Sequence, residues 1–525
     1  MNLSRVMVFV LLVLILGVPF VLKPASVADT RAKVEKLIII TPHVQQISAE
    51  YGPAFERWMK RAHNRDVKID WRGPLGTSEI LKLLQSQYNA AISRGELKSD
   101  GNSFSCPPGT VSYDLMFGGG SYDHGRLKKG DGVFATITDA EGKPKRVNVP
   151  MSTPAGFSQE QLLAWYGPTN LVGTQPLYDK DQFWLGNCLS AFGIVYNKPL
   201  CEKLGVKVPT HFSDLADPRL AGWVALADPR QSGSLTTALD SILSAYGWEK
   251  GWRVLREMCA NSRSYTNSST KPPIDVSQGE AAMALAIDFY GRGQAQAILA
   301  PGESAADSRV GYVDPPGEVA VDADPVSILR GGPTFELAQR FVEFLMTDEG
   351  QLMWQLPSQR DPRGKGNPKN ADGQPLGPRL YELRRMPIRP DIYTKYRSHF
   401  VDDIDPFTIA SKATPGKWRA AIGPMLGAFA IDNAHEQRQA WETVNAARAK
   451  LGSDDPLTKE IEAMFYAWPP TTLPDGRVLE FNESNFKEIK AAWDKNGFGA
   501  VAAVEYTKHY RETYNAIVEK GKSLR

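Results

Sequence analysis

The chain has 525 residues, of which 42% are hydrophobic and 23% charged, a composition that packs into cores and excludes a disordered protein. At roughly 100 to 200 residues per domain, the length predicts about three domains. Lys and Arg number 61 against 59 Asp and Glu, a net charge of +2 that argues against a nucleic-acid partner, and four cysteines exclude a disulfide framework.

Val6 to Leu22 is an uncharged apolar run behind a single Arg5, interrupted late by Gly17 and Pro19. Ser26-Val27-Ala28 supplies the small residues that a signal peptidase reads, so residues 1–28 are expected to be a signal peptide cut after Ala28. An uncleaved N-terminal membrane anchor is the competing expectation, because the run is just long enough to span a bilayer. Either way the rest of the chain is predicted to be periplasmic or otherwise extracytoplasmic. Export makes Cys106, Cys188, Cys201 and Cys259 available for disulfides, with buried thiols as the alternative.

From Leu37 the pattern is strand, loop, helix, repeated. Leu37 to Ile40 reads as a strand ending in Thr41-Pro42-His43, followed by a helix with Val44, Ile47, Tyr51, Phe55 and Met59 on one stripe. Val67 to Trp71 is a second strand, and its loop leads to a helix capped by Thr77 or Ser78, with Ile80, Leu81, Leu84 and Tyr88 facing inward. Asp114 to Phe117 is a third strand that runs into Gly118-Gly119-Gly120-Ser121. The pattern resumes with strands at Phe192 to Tyr196 and Val224 to Ala227, the latter leading through Ser232-Gly233-Ser234 to a helix from about Leu235. Strands at Arg263 to Thr266 and Met283 to Ile287 end in Asn267-Ser268-Ser269-Thr270 and Asp288-Phe289-Tyr290.

Alternating strands and helices imply parallel sheet, and ligands bind beyond the carboxyl ends of such strands. The loops at those ends carry hydroxyls and glycines, which let a ligand reach backbone N–H groups. Each hydroxyl taken singly is an ordinary helix cap or turn residue; their recurrence at strand ends makes them candidate ligand contacts.

After Trp354 the character changes. Pro357 to Pro378 reads as a linker, and helices are predicted at about Lys417 to Leu451, Leu457 to Trp468, Phe486 to Lys495 and Val501 to Lys520. Trp441, Val444 and Ala447, and likewise Tyr506, Tyr510 and Tyr514, fall at helical spacing and read as packing stripes. This extension is expected to brace the fold or contact a partner.

Catalytic motifs are missing. There is no G-x-S-x-G elbow, no H-E-x-x-H (His435-Glu436 is followed by Gln439) and no G-x-x-x-x-G-K-[ST] loop. Missing motifs do not exclude catalysis, but nothing in the sequence asks for it, and no enzymatic activity is expected.

The stretch from Leu37 to Trp354 resembles an extracellular solute-binding protein of an ABC importer, most similar to the branch that includes the ferric-iron-binding proteins. The residues that carry this are Asp181-Gln182-Phe183-Trp184-Leu185-Gly186, the strand Phe192 to Asn197, Pro209-Thr210-His211-Phe212-Ser213-Asp214-Leu215 and Asp217-Pro218-Arg219-Leu220. Gln278-Gly279-Glu280 and the helix through Phe341 and Phe344 to Asp348-Glu349-Gly350 complete the set. The resemblance implies an α/β, two-lobe periplasmic binding protein-like (type II) fold with hinge strands, to which this chain adds a mainly α-helical C-terminal extension. It implies lobe 1 at residues 36–190, lobe 2 at 191–290, a return to lobe 1 with a closing helix at 291–356, and the extension at 357–525. It further implies no cofactor, with any metal ion bound only as cargo, and a partner ABC permease in the membrane.

For the cargo, a histidine follows the first strand in the iron-binding relatives, where His43 stands here, and an iron site would use His43, Asp288 and Tyr290. This chain has no acid in Gly118 to Ser121, and Phe289-Tyr290 replaces a tyrosine pair. A hard cation wants several anionic oxygens, so iron ranks second. A small organic or phosphorylated anion ranks first and a cationic amine third. The predicted contacts are Thr41, His43, Thr77, Ser78, Gly120, Ser121, Ser232, Gly233, Ser234, Asp288 and Tyr290, with Asp288 engaging a hydroxyl or amine. A membrane-tethered sensor on the same fold is the alternative function, and an exported hydrolase the remote one.

Overall fold

The computed structural model describes residues 34–73, 76–100, 103–138, 142–299, 308–495 and 497–524. The predicted signal or anchor segment, residues 1–28, lies outside them.

Apolar runs become the strands of one mixed sheet, ordered Ser262–Thr266, Val224–Ala227, Met283–Ile287, Leu185–Asn197, Val321–Ile328, Leu115–Phe117, Glu35–Ile40 and Val67–Arg72. The order has two parallel halves. Glu35–Ile40 pairs in parallel with Val67–Arg72 and Leu115–Phe117, and Val224–Ala227 does so with Ser262–Thr266 and Met283–Ile287. Two antiparallel strands join them. Leu185–Asn197 gives its first half to Val321–Ile328 and its second half to Met283–Ile287, so one continuous, almost wholly buried strand belongs to both lobes. This is the two-lobe type II arrangement, and those crossing strands are its hinge.

The two first-lobe helices follow the predicted periodicity. Ile47, Tyr51, Phe55 and Met59 of helix Gln45–His63 are buried against the first lobe, as are Ile80, Leu81, Leu84 and Tyr88 of helix Thr77–Ser93. Helix Gly233–Ala260 backs the second lobe and bends at Gly247, where φ 78° and ψ −180° interrupt it. Val310–Val313, expected with the first lobe, pairs instead with Ile194 to Asn197 of the second-lobe half-sheet.

The C-terminal third departs most from expectation. The segment read as one helix from Lys417 to Leu451 is three pieces: Arg419–Leu426, with Pro424 inside it, a wide turn at Gly427–Ile431, and Ala434–Leu451. Asp455 caps helix Pro456–Tyr466 as its position before Pro456 suggests, accepting from the N–H of Leu457 at 2.9 Å. These helices are not a separate bundle. Trp441, Phe465, Tyr510 and Tyr514 share one core with Trp248, Trp252 and Leu255 of the second lobe. Arg256, buried in that core, donates to the carbonyls of Phe465 at 2.8 Å and Ala467 at 2.9 Å and to the Tyr510 hydroxyl at 2.8 Å. The stretch that follows the predicted linker is also docked: Met386–Pro387 adds a short strand beside Cys188 and Leu189. All four cysteines are free thiols. Among the described residues no helix is long and apolar enough to cross a membrane.

Candidate functional site

Six strand ends, three from each lobe, open on one cavity of about 420 Å³. The first lobe brings Pro42 and His43, then Gly76 to Ser78, then Gly119 and Gly120. The second brings Gln231 to Ser234, then Asn267 to Thr270, then Phe289 and Tyr290. The crossing strands form the floor through Ser190, Phe192, Asp322 and Asp324. All six run into helices, Gln45–His63, Thr77–Ser93, Ser121–Lys129, Gly233–Ala260, Lys271–Gln278 and Asp288–Ala297, so six helix N-termini border the same space. Unpaired amides and the helix dipole make each such terminus a place for negative charge.

The wall contains His43, Thr77, Ser78, Gly120, Ser232, Gly233, Ser234 and Tyr290 among the predicted contacts. Their hydroxyls are not equivalent. Ser232 is committed as a cap, accepting from the Leu235 N–H at 3.2 Å. Thr77, Ser78 and Ser234 have no side-chain hydrogen bond among the described residues, which leaves them open to a ligand. The helix expected to be capped by Thr77 or Ser78 is capped one residue earlier, at Gly76, whose N–H donates to Glu79 at 3.1 Å; this frees both hydroxyls.

Three predicted contacts are placed elsewhere. The Thr41 hydroxyl is turned inward, donating to the Phe117 carbonyl at 2.7 Å and accepting from the His43 N–H at 3.0 Å. Ser121 starts its helix, but its N–H is taken by Asp322 at 3.2 Å. Asp288 is buried behind the wall, 3.4 Å from Arg292, where burial, opposed by Arg292, pushes its carboxyl up to about 7. The proposed iron set therefore does not assemble, since Asp288 faces Arg292 and His43 is held by Asp324. Among the described residues no group of three or more His, Cys, Asp or Glu is placed to hold a metal ion.

The charged residues of the cavity were not foreseen. His43 Nε2 lies 3.2 and 3.3 Å from the two oxygens of Asp324, and Arg385 Nη1 donates to the same carboxylate. Burial drives the His43 pKa down, with Asp324 opposing, so His43 is neutral at neutral pH. Burial favours the neutral acid at Asp324, but Arg385 and His43 together hold its pKa below the ordinary value. Gly118 makes the seat: at φ +100° it has no side chain, and a Cβ there would stand 2.3 Å from His43 Nε2. The Arg385 guanidinium lies over the Phe289 ring, 3.9 Å from its centre, and its buried Nε has no partner. Asp322 is pushed up to about 6 by burial, with Ser121 and Arg419 opposing, and its Oδ1 is unpartnered. Asp123 is raised for the same reason, with Arg419 and Arg126 opposing.

Asp322 and Asp324 had a legible signal: acids two residues apart inside the apolar strand Val321–Ile328 share one face. Arg385 and Arg419 had none: one follows the linker and the other stands in a helix of the extension, and nothing local marks either as a cavity residue.

Residues 157–376 match the family of bacterial extracellular solute-binding proteins, which are binding proteins and not enzymes. An uncharacterised protein of Haemophilus influenzae is 30% identical over 187 residues, covering 34% of this chain and 50% of that protein. Iron uptake protein A1 of Synechocystis is 28% identical over 211 residues, 38% of this chain and 56% of that protein. Phosphoglycerate transport regulatory protein PgtC of Salmonella typhimurium is 21% identical over 305 residues, 58% of this chain and 67% of that protein. The chain thus spans about half the length of the first two relatives.

Proposed function

We propose that this chain, whose residues 157–376 are those of a bacterial extracellular solute-binding protein, takes a small hydroxylated organic anion into the cavity between its lobes and presents it to an ABC-type permease. The observation that carries the reading is the convergence of six helix N-termini on one cavity, beside the partly unpaired guanidinium of Arg385. In a protein of near-zero net charge, attraction for an anion has to be local, and helix termini with a buried arginine provide it. The volume, about 420 Å³, falls within the ordinary range of ligand pockets, roughly 300–1,000 Å³.

Asp123 and Asp322 narrow the class. Two acids in the wall repel a bare inorganic anion but accept hydrogen bonds from ligand hydroxyls, the role the sequence assigned to Asp288. A phosphorylated or carboxylated polyol or hydroxy acid meets both demands, and the phosphoglycerate transport relative agrees with it. In this reading the lobes are residues 36–190 with 291–356, and 191–290 with Val310–Val313 added to the latter. Function is extracytoplasmic, with residues 1–28 directing export or tethering.

Thermal unfolding and calorimetric titration with inorganic phosphate, glycerol 3-phosphate, 3-phosphoglycerate, citrate and ferric ion test this. A hydroxylated anion at about a hundred times its Kd should add about 2.7 kcal/mol of stability. Tight ferric ion binding with no response to any organic anion would refute it in favour of metal cargo, the cargo named for the Synechocystis relative.

A further inference from the structure

Arg419 opens helix Arg419–Leu426 in the C-terminal extension, beyond the family-matched residues 157–376. Its backbone is fixed by the second-lobe core, where Trp418, Ala421, Ile422 and Met425 are buried. Its side chain reaches the cavity wall. There Nη1 accounts for its protein contacts: it donates to the Thr237 hydroxyl at 3.1 Å and lies 3.7 Å from buried Asp240. Nε and Nη2 have no hydrogen-bond partner among the described residues. These two N–H groups form one edge of the guanidinium, the fork that grips a phosphate or carboxylate through two parallel bonds. The edge is held in orientation from the other lobe, because the guanidinium stands 4.9 Å from the ring centre of Tyr122 in helix Ser121–Lys129. Tyr122 is 57% exposed at the rim, and the Arg419 side chain only 17% exposed.

We propose that Arg419 is the specificity-determining residue of the cleft, gripping the ligand's anionic group through its open Nε–Nη2 edge while its stack on Tyr122 ties that grip to the closed position of the lobes. This rests on the anion reading above. The role needs both lobes and the extension: the second lobe and extension place the guanidinium, and the first lobe supplies the ring that orients it. Asp123 and Asp322 sharpen the selection. Both feel the Arg419 charge, so a ligand must offer an anionic group to the guanidinium and hydroxyls to the acids. A cation–π contact at a partly exposed site is weak, enough to bias closure without locking it. The extension is thereby part of the binding machinery and not only a brace.

The test is titration of the full mature chain with glycerol 3-phosphate and with inorganic phosphate, with lobe closure followed by small-angle scattering. Arg419→Lys keeps the charge but loses the fork, and Arg419→Gln loses both. Affinity for glycerol 3-phosphate should fall at least about tenfold in the first and further in the second. Tyr122→Ala should bind a few-fold more weakly and close less completely. Because Arg419→Gln leaves Asp240 buried beside an uncharged partner, Arg419→Gln with Asp240→Asn is measured as well, and it should fold normally yet bind as weakly. Unchanged affinity in the Arg419 variants would overturn the role of Arg419 while leaving the anion reading standing. No binding of either probe by the unaltered protein would overturn both.

Discussion

Replacing Arg385 with Met removes the cation that neutralises Asp324 and keeps the approximate volume of the side chain over Phe289. Asp324 is left buried with His43 alone, 3.2 Å away. Breaking a buried ion pair by deleting one partner costs about 3–5 kcal/mol, and that is the loss expected at about pH 8, where His43 is neutral. The pH dependence carries the diagnosis. In the unaltered protein the folded-state pKa of His43 is depressed, by burial first and by Arg385 in part, so its proton is disfavoured and stability is lost as pH falls below the unfolded value of about 6.5. Without Arg385, the His43 proton becomes the only counter-charge for Asp324, and the folded pKa should rise above the unfolded one. A histidine with a raised folded pKa contributes stability that is fully present below the unfolded value and lost as pH rises through the folded value. The cost of the substitution should therefore shrink on acidification, by about 1.4 kcal/mol for each unit by which the variant's His43 pKa exceeds the original. Urea unfolding of both proteins, followed by tryptophan fluorescence at about pH 5.5 and about pH 8, measures this as a difference of differences, which cancels the other titrating acids. Adding Asp324→Asn removes the stranded charge and should recover most of the loss at about pH 8. A cost below about 1 kcal/mol, or one that does not change between the two pH values, would refute the account of Asp324 as a carboxylate shared by His43 and Arg385.

Ser234→Asp places a carboxylate in the first turn of helix Gly233–Ala260, so thermal stability should rise by about 0.3–1 kcal/mol while glycerol 3-phosphate affinity in calorimetry falls at least about tenfold. Asp322 ionises through about 6, so affinity for an anion should fall as pH rises through that value, and Asp322→Asn should flatten the profile in titrations across that range. The same raised pKa makes stability decline as pH rises from the unfolded value through about 6, so Asp322→Asn should stabilise the protein by up to about 3 kcal/mol at neutral pH in urea unfolding. Gly118→Ala would push a methyl group against His43 at a positive φ, and a loss of about 1–3 kcal/mol is expected by thermal unfolding. Arg256→Met strands the Phe465 and Ala467 carbonyls inside the shared core, and should cost about 3–5 kcal/mol, read as a lowered urea midpoint.

The six strand ends were legible in the sequence, because strands of apolar residues that end in glycine and hydroxyl loops announce both their burial and their turns. Val224–Ala227 and Met283–Ile287 fall where the pattern puts them, and Thr77, Ser78, Ser232 and Ser234 reach the cavity because they follow strands whose direction the α/β repeat dictates. Asp288 misled for a definite reason: it follows a strand end as they do, but a partner one turn on in helix Asp288–Ala297, Arg292, draws its carboxylate behind the wall. Tertiary structure alone decided the charge of the cavity. Asp324, His43 and Arg385 meet from positions far apart in the chain, and Arg419 arrives through a core shared with the second lobe that no helical stripe reveals. A stripe of Trp441, Val444 and Ala447 says that a face is buried but not what buries it. Near-neutral overall charge hid the same fact, since composition sums over the whole chain while electrostatic attraction acts over a few ångströms between groups that folding brings together.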